Sequence, residues 1–343
     1  MKPVYIIAEA GVNHNGDYRL ACQLIDAAKD AQADAVKFQT FKTEKILTRS
    51  AAMADYQKTN LSNNETQFQM VKRLELSFDQ FAALKAYADT VGIDFLSTPD
   101  DEDSLDFLSD TLGLTWLKIG SGEVTNLPFL RKIANKKKPL ILSTGMSTLG
   151  EVERAVRVIR QCNQHGLVLL HCTTNYPCPP DEVNLRAMLT MAQAFNLEVG
   201  YSDHTLGSEI AVAAVALGAG VIEKHLTLSH DLDGPDHAAS LEPQEFAEMV
   251  RQIRVVEAAL GNGIKWPSPS EEVIKPAVRR RIVAARNLSA GHQLSIDDLC
   301  FKRANQGMFV EHVDEILGMV LCCDLIADHP VEFSFLTFPS ISA

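Results

Sequence analysis

No stretch of this 343-residue chain is apolar for long enough to cross a bilayer as a helix. The longest uncharged apolar run, IAVAAVALGAGVI from Ile210 to Ile222, has thirteen residues, against the roughly twenty that a bilayer demands. It reads as a buried helix entering a strand. The N-terminus, MKPVYIIAEAG, meets acidic Glu9 almost at once and offers neither a proper apolar h-region nor a small-residue cleavage site. Seven cysteines include no CxxC pair, so we expect reduced, mostly buried thiols and a cytoplasmic protein. A basic face is missing as well. With a formal charge of -12, and only the short NKKKP and RRR runs as positive clusters, a broad nucleic-acid footprint is excluded. Any anionic ligand must then be held by a few local cations.

What the chain does have is rhythm. Apolar runs of strand length recur eight times: VYIIAEAG, AVKFQT, DFLSTP, WLKIGS, LILSTG, LVLLHCT, EVGYSD and VIEKHLT. Segments of helical periodicity, such as YRLACQLIDAAKDA and EVERAVRVIRQC, lie between most of them. This alternation calls for a parallel sheet with helical crossovers, and eight units in about 260 residues fit a (β/α)8 TIM barrel, an α/β fold. The insertion from Phe41 to Ser77 is expected to arch over the barrel mouth as a βα loop. Between Gly261 and Pro276 the composition shifts to Gly, Pro and Ser, which marks a linker, and the short runs beyond it suit a compact domain of about sixty residues.

Nearly every strand-like run turns polar at its C-terminal end, where barrel enzymes build their sites. Isolated Ser and Thr at such ends commonly start turns or cap helices. Two lysines, two histidines and a glutamate at one level need another explanation. His204 and His225 would end neighbouring strands seven and eight, so their imidazoles could share a divalent cation, with positions left for water and substrate oxygens. Each could instead be a hydrogen-bonded core histidine, which is the reading given to the other eight, His171 and His237 included. Lys37 and Lys118, with Ser121, Ser143 and Ser202, could clamp a phosphate or carboxylate, or pair with structural carboxylates. Glu9 and Glu123 suit proton transfer, a sugar hydroxyl, or the support of another ligand. The residues thus describe a metal-dependent enzyme for a small, anionic, oxygen-rich substrate.

Nine strings in order, IAEAGVNHNGD, AVKFQT, FLSTP, KIGSGE, ILSTGM, LLHCTTNYP, GYSDHT, IEKHLT and GPDHAAS, resemble the sialic acid synthase family, which makes N-acetylneuraminate or legionaminate. The resemblance implies condensation of phosphoenolpyruvate with an N-acetylmannosamine-type sugar to a nine-carbon 2-keto acid, releasing phosphate. It implies a catalytic TIM barrel over residues 1–265, a linker over 266–281 and a small antifreeze-like (SAF) domain over 282–343. By motif, Lys37, Thr98, Lys118, Ser121, Ser143 and Ser202 would hold phosphoenolpyruvate, with Tyr176 nearby. Gln39, Glu9, Glu123 and Asp236 would face the sugar, Glu9 also handling a proton or water. His204 and His225 would hold the metal, Mn2+ in first place, with Mg2+ or Co2+ as alternatives. The resemblance further implies a domain-swapped homodimer in which Arg303, in FKRANQGM, touches the partner's sugar, although the Pro and Gly usual after that arginine are absent here. A second departure is FLSTPDD, where Asp100 replaces an apolar residue and either reshapes one edge of the site or caps a helix. Sialic and legionaminic products stay open, as do a related synthase acting on a phosphorylated aldose and a non-catalytic sugar-binding homologue.

Overall fold

Alternation with period two explains both the core and the site of the first unit. The computed structural model describes residues 2–53 and 65–339 and divides the chain into two units, Met1–Asn262 and Gly263–Ala343. In the first, eight strands run parallel: β1 Tyr5–Gly11, β2 Ala35–Thr40, β3 Asp94–Pro99, β4 Leu117–Ile119, β5 Leu140–Ser143, β6 Leu167–Cys172, β7 Glu198–Asp203 and β8 Val221–His225. The ladder runs β3-β2-β1-β8-β7-β6-β5-β4. The terminal strands β3 and β4 are also in contact, so the sheet curls into a barrel with one seam that lacks a ladder among the described residues.

Because successive side chains on a strand point to opposite faces, each strand serves two environments. Ile6, Ala8, Val36, Phe38, Leu117, Ile119, Leu140, Leu142, Val199 and Ile222 face outward and join the apolar layer shared with the helices. Ile7, Ala35, Leu96, Ile141, Val168, Leu170 and Val221 face inward and fill the lower barrel, with Tyr5 and Trp116 packed against them. Two residues further along the same strands, the inward positions become Glu9, Lys37, Thr98, Lys118, Ser143, Cys172, Ser202 and Glu223. Apolar packing therefore stops one layer below the mouth, and a polar layer rests on it.

Helices with local start signals close the crossovers. Asp17 caps Tyr18–Asp30, and Ser77 and Thr148 form capping boxes with Gln80 and Glu151 at Phe78–Val91 and Leu149–Cys162. The run from Ile210 to Ile222 divides as expected into helix Glu209–Ala216 and strand β8. The segment after β2 differs from a plain loop: it holds helices Thr43–Ile46 and Gln67–Leu74. Phe41, Met70 and Leu74 pack with Val12 just beyond β1, which gives this segment an apolar anchor. The part of the expected loop at 54–64 lies outside the described residues.

In the second unit the Ser-Pro-rich stretch carries a helix, Pro269–Val278, started by Ser268 and by Pro at its first turn. Two short antiparallel pairs follow, Arg281–Ala284 with Leu299–Lys302 and Val320–Leu321 with Leu336–Thr337. They enclose a small core of Ile282, Leu288, Leu294, Ile316, Met319, Leu325 and Val331. Buried Asp298 ties its loops together by accepting from Arg286, His292 and both the amide and hydroxyl of Ser295.

Candidate active site

The polar layer opens into a cavity of 210 Å³ at the C-terminal ends of the strands. At its floor two buried ammonium groups share two buried carboxylates. Lys37 Nζ lies 2.6 Å from Glu9 and 3.7 Å from Glu223, and donates to Thr98 Oγ1 at 3.2 Å. Lys118 Nζ donates to Glu223 Oε1 at 3.0 Å, and the Ser202 hydroxyl donates to the same oxygen at 2.9 Å. Strand register brings these groups together: Glu9 stands opposite Lys37 on one side and His225 on the other, and Ser202 opposite Glu223.

Electrostatics separates the two carboxyls. Burial works against ionisation of Glu223, but Lys118, Lys37 and the Ser202 hydroxyl outweigh it and hold the group down at about 2. Glu9 is raised, because burial and the neighbouring Glu223 charge oppose Lys37. Burial pulls Lys118 below the ordinary lysine range despite Glu223. Lys37 is raised: burial disfavours its charge, but Glu223 and Glu9 together prevail. Lys37 and Lys118 are thus held side by side by carboxyls on the floor, where an incoming anion could share their hydrogen-bond donors.

His204 and His225 stand with ring centroids 5.5 Å apart. Tyr176 lies over the first at 4.1 Å and meets the second edge-on at 5.5 Å. The His204 Nδ1–H donates to the Thr173 carbonyl at 2.7 Å, which orients the ring and turns Nε2 toward Ser202 Oγ, 3.5 Å away, and the cavity. His225 Nδ1 is buried with no hydrogen-bond partner among the described residues, and burial, His204 and Lys37 all hold this imidazole in its neutral form. A neutral, oriented imidazole such as that of His225 is what a divalent cation requires of histidine. His204 is raised: burial disfavours its charge, but Cys172, the Thr173 carbonyl and Glu223 prevail, so it must release a proton to bind an ion. The described residues contain no group of three or more His, Cys, Asp or Glu able to hold an ion. The two imidazoles would therefore be the protein's contribution, with the other positions filled by water and substrate.

The wall between β4 and β6 is hydroxyl-lined. Gly145 N–H donates to Ser121 Oγ at 2.9 Å, and Ser121 Oγ sits 3.4 Å from Cys172 Sγ. Ser143 Oγ and Thr174 Oγ1 are buried with no partner among the described residues. On the opposite side, Gln39 donates to Glu9 Oε1 at 3.2 Å. Asp236 is buried by the same mouth, and its carboxyl is pushed up to about 6 by burial and by Glu9. Glu123 accepts from Asn126 at 2.6 Å and stands behind Gly122, just outside the lining.

Asp100 lines the cavity, whereas the helix that follows, Glu102–Asp106, is capped by Asp101. The capping alternative for Asp100 is thereby corrected. Arg303 lies exposed in the second unit and is not part of the lining. His171 and His237 are satisfied by Val183 O and by Thr227, as their core reading implied. Sequence reasoning passed over Glu223, Cys172 and Thr174. The signal was present: Glu223 is two residues before His225, on the same face of the same strand.

Comparisons with known proteins agree with this geometry. Residues 24–265 match the NeuB family model, and residues 279–337 match the SAF domain model. An N,N'-diacetyllegionaminic acid synthase of Campylobacter jejuni is 49% identical over 93% of this chain and 96% of its own length. One of Legionella pneumophila is 48% identical over 94% and 92%. The solved N-acetylneuraminic acid synthetase of Leptospira borgpetersenii, in complex with citrate, superposes with a TM-score of 0.71 at 36% identity, covering 79% of this chain and 90% of that one. With its barrel matched along most of its length and its relatives covered almost end to end, the chain belongs to the NeuB family.

Proposed function

We propose that this enzyme condenses phosphoenolpyruvate with the 2,4-diacetamido-trideoxy analogue of N-acetylmannosamine, giving N,N'-diacetyllegionaminate and inorganic phosphate. The observation that carries the reading is the floor itself: Lys37 and Lys118 buried side by side within the cavity that also holds the His204–His225 pair. The choice of sugar is supported by the two relatives near half identity, both of which bear that product's name.

Phosphoenolpyruvate would lie on Lys37 and Lys118, its oxygens taking donors from Ser143, Ser121 and Thr174, whose hydroxyls line the wall. The methylene carbon then faces the sugar aldehyde near the imidazole pair, and a bond forms between the two carbons. Water adds to the former enol carbon, whose bond to the phosphate oxygen breaks, so phosphate departs and a 2-keto group remains. Glu9 stands between Lys37, Gln39 and the histidines, where it can take or return the proton of that water. A divalent cation on His204 and His225, Mn2+ in our reading, would supply Lewis-acid polarisation of the aldehyde oxygen. The two ammonium groups stabilise negative charge as it moves on to the departing phosphate.

Among the described residues the cavity lining contains no lysine or arginine besides these two. Both are consumed by the first anion, which disfavours a phosphorylated aldose as second substrate. A purely sugar-binding role is disfavoured because the anion floor and the imidazole pair are both intact. As further parts of the proposal, Arg303 reaches the sugar of a second copy in a homodimer, supported by its exposed place in the second unit. A cytoplasmic setting is supported by seven free thiols. No described helix is long and apolar enough to cross a membrane.

Phosphate release from phosphoenolpyruvate with Mn2+ tests the reading. Release should require the diacetamido sugar and be weaker with N-acetylmannosamine. Release independent of any sugar, or none with either, would refute it.

A further inference from the structure

The acceptor side of the cavity contains a carboxylate with no task in the scheme above. Asp100 follows β3, two residues beyond Thr98 and on the same inward face, so it stands about 6–7 Å closer to the mouth than the anion floor. Its amide is fixed by donation to Thr40 O at 3.1 Å, extending the β2–β3 ladder by one step. The backbone there is consequently set by the barrel and not by the loop that follows. Asp101 takes the capping duty, accepting from Ser104 N–H and Ser104 Oγ and from the Lys42 amide. Among the described residues no side-chain or backbone donor reaches the Asp100 carboxylate. The positive charge that acts on it, from Lys37, lies a layer below and is already divided between Glu9 and Glu223.

Around Asp100 the field is acidic: burial, Glu123 and Glu9 push its carboxyl up to about 7 against the single opposing charge of Lys37, and burial and Glu9 likewise raise Asp236. The cavity thus has two levels: a floor where two ammonium groups and several hydroxyls meet Glu9 and Glu223, and a mouth where Asp100 stands without an ammonium group beside it. The lower half fits an anion. The upper half, with no lysine or arginine of its own in the described lining, disfavours one and instead presents acceptors to N–H and O–H groups.

From this placement, and resting on the function proposed above, we infer that Asp100 is a specificity-determining residue: its carboxylate accepts a hydrogen bond from an amide N–H or hydroxyl of an uncharged sugar and rejects a phosphorylated one. A donor-bearing neutral sugar gives the carboxylate the partner that the protein withholds. A sugar phosphate brings a second anion against it, and the described lining of this cavity has no lysine or arginine at that level to offset the repulsion. Loss of a hydrogen bond to a charged group in a water-poor site corresponds to about a ten- to hundredfold loss in kcat/KM.

Steady-state kinetics of Asp100→Asn and Asp100→Ala, beside the parent enzyme, test the inference with three acceptors: the diacetamido sugar, N-acetylmannosamine and phosphorylated N-acetylmannosamine. Expected are a ten- to hundredfold fall in kcat/KM for the neutral sugars, a KM for phosphoenolpyruvate within twofold of the parent, and reduced discrimination against the phosphorylated acceptor. Equal losses for all three acceptors, no loss at all, or a parallel rise in the phosphoenolpyruvate KM would overturn it. A parent enzyme that turns over none of these sugars refutes the proposed function and not this inference. Calorimetric titration of the neutral sugar then decides, since weaker binding to the Ala variant sustains the role and equal binding removes it. Should the Asn variant lose its cooperative thermal transition, Asp100→Ser replaces it in every arm.

Discussion

Replacing Glu223 with Gln removes one negative charge from the floor while keeping its shape. In the parent protein that carboxylate receives Lys118 at 3.0 Å and Ser202 at 2.9 Å, with Lys37 3.7 Å away. The variant leaves two buried ammonium groups facing each other with Glu9 as their sole close carboxyl. Breaking a buried ion pair by removing one partner costs about 3–5 kcal/mol. For a unit of this size each kcal/mol lowers Tm by about 2–4 °C, so a fall of about 6–20 °C is expected. Anions should recover much of it. Phosphoenolpyruvate or inorganic phosphate replaces the lost charge and no longer competes with a resident carboxylate, so the rise in Tm at saturating anion should be larger in the variant than in the parent. Thermal unfolding followed by near-UV circular dichroism, with and without each anion, measures both effects. A Tm within about 2 °C of the parent, or a fall that neither anion reverses, would refute the reasoning that Glu223 holds the two lysines in place of substrate.

The His225→Ala variant should keep its Tm within a few degrees and lose metal-stimulated phosphate release by at least about a hundredfold, because a single imidazole remains to hold the ion. Unaltered stimulation by Mn2+ would remove the metal assignment. In Gly200→Ala the new Cβ would meet the Val221 carbonyl oxygen at 2.3 Å, a backbone atom that cannot swing aside, where β7 and β8 draw close. A loss of about 3 kcal/mol is expected, at the upper end for overpacking, together with weaker metal stimulation because these strands deliver His204 and His225. In the second unit, burial works against Asp298, but hydrogen bonds from His292, Ser295 and Arg286 outweigh it and hold the carboxyl far below its usual range. A depressed folded value means that its stabilisation is complete above the unfolded pKa, about 3.9, and is lost as pH falls through the folded value. Asp298→Asn should reduce amide protection over residues 281–337 by about 2 kcal/mol near neutrality and flatten its decline in acid, both read by hydrogen exchange.

The barrel was legible because its signal repeats. Eight apolar runs, each ending in polar residues, outweigh the ambiguity of any one, and the structure places all eight in one sheet. Lys37, Lys118, Ser143, Ser202, His204 and His225 could be found because each breaks an apolar run at its end. Glu223 was harder to see. It lies inside the run VIEKHLT beside Lys224, and adjacent opposite charges on a strand suggest a pair with each other. They face opposite sides instead: Lys224 points outward and is neutralised by Asp203 at 2.8 Å, while Glu223 points into the site. The period of two, counted back from His225, separates these fates, but which groups Glu223 meets is set by the register of β7 and β8, and register belongs to the assembled sheet. The same reason hid Thr174 and Cys172, which are distant in sequence from Ser121 and gather with it around Gly145 through the β4-β5-β6 order. The helices Thr43–Ile46 and Gln67–Leu74 were masked by the Asn- and Gln-rich composition around them, although the capping box at Thr66 and Gln69 was a local cue.

Tracing the methylene carbon of phosphoenolpyruvate tests the central claim most directly. With that carbon labelled as carbon-13, the enzyme, Mn2+ and the diacetamido sugar should yield a product in which the label is coupled to the former aldehyde carbon, with one phosphate released per product. Label recovered in the methyl group of pyruvate, with the sugar unchanged, would contradict the account.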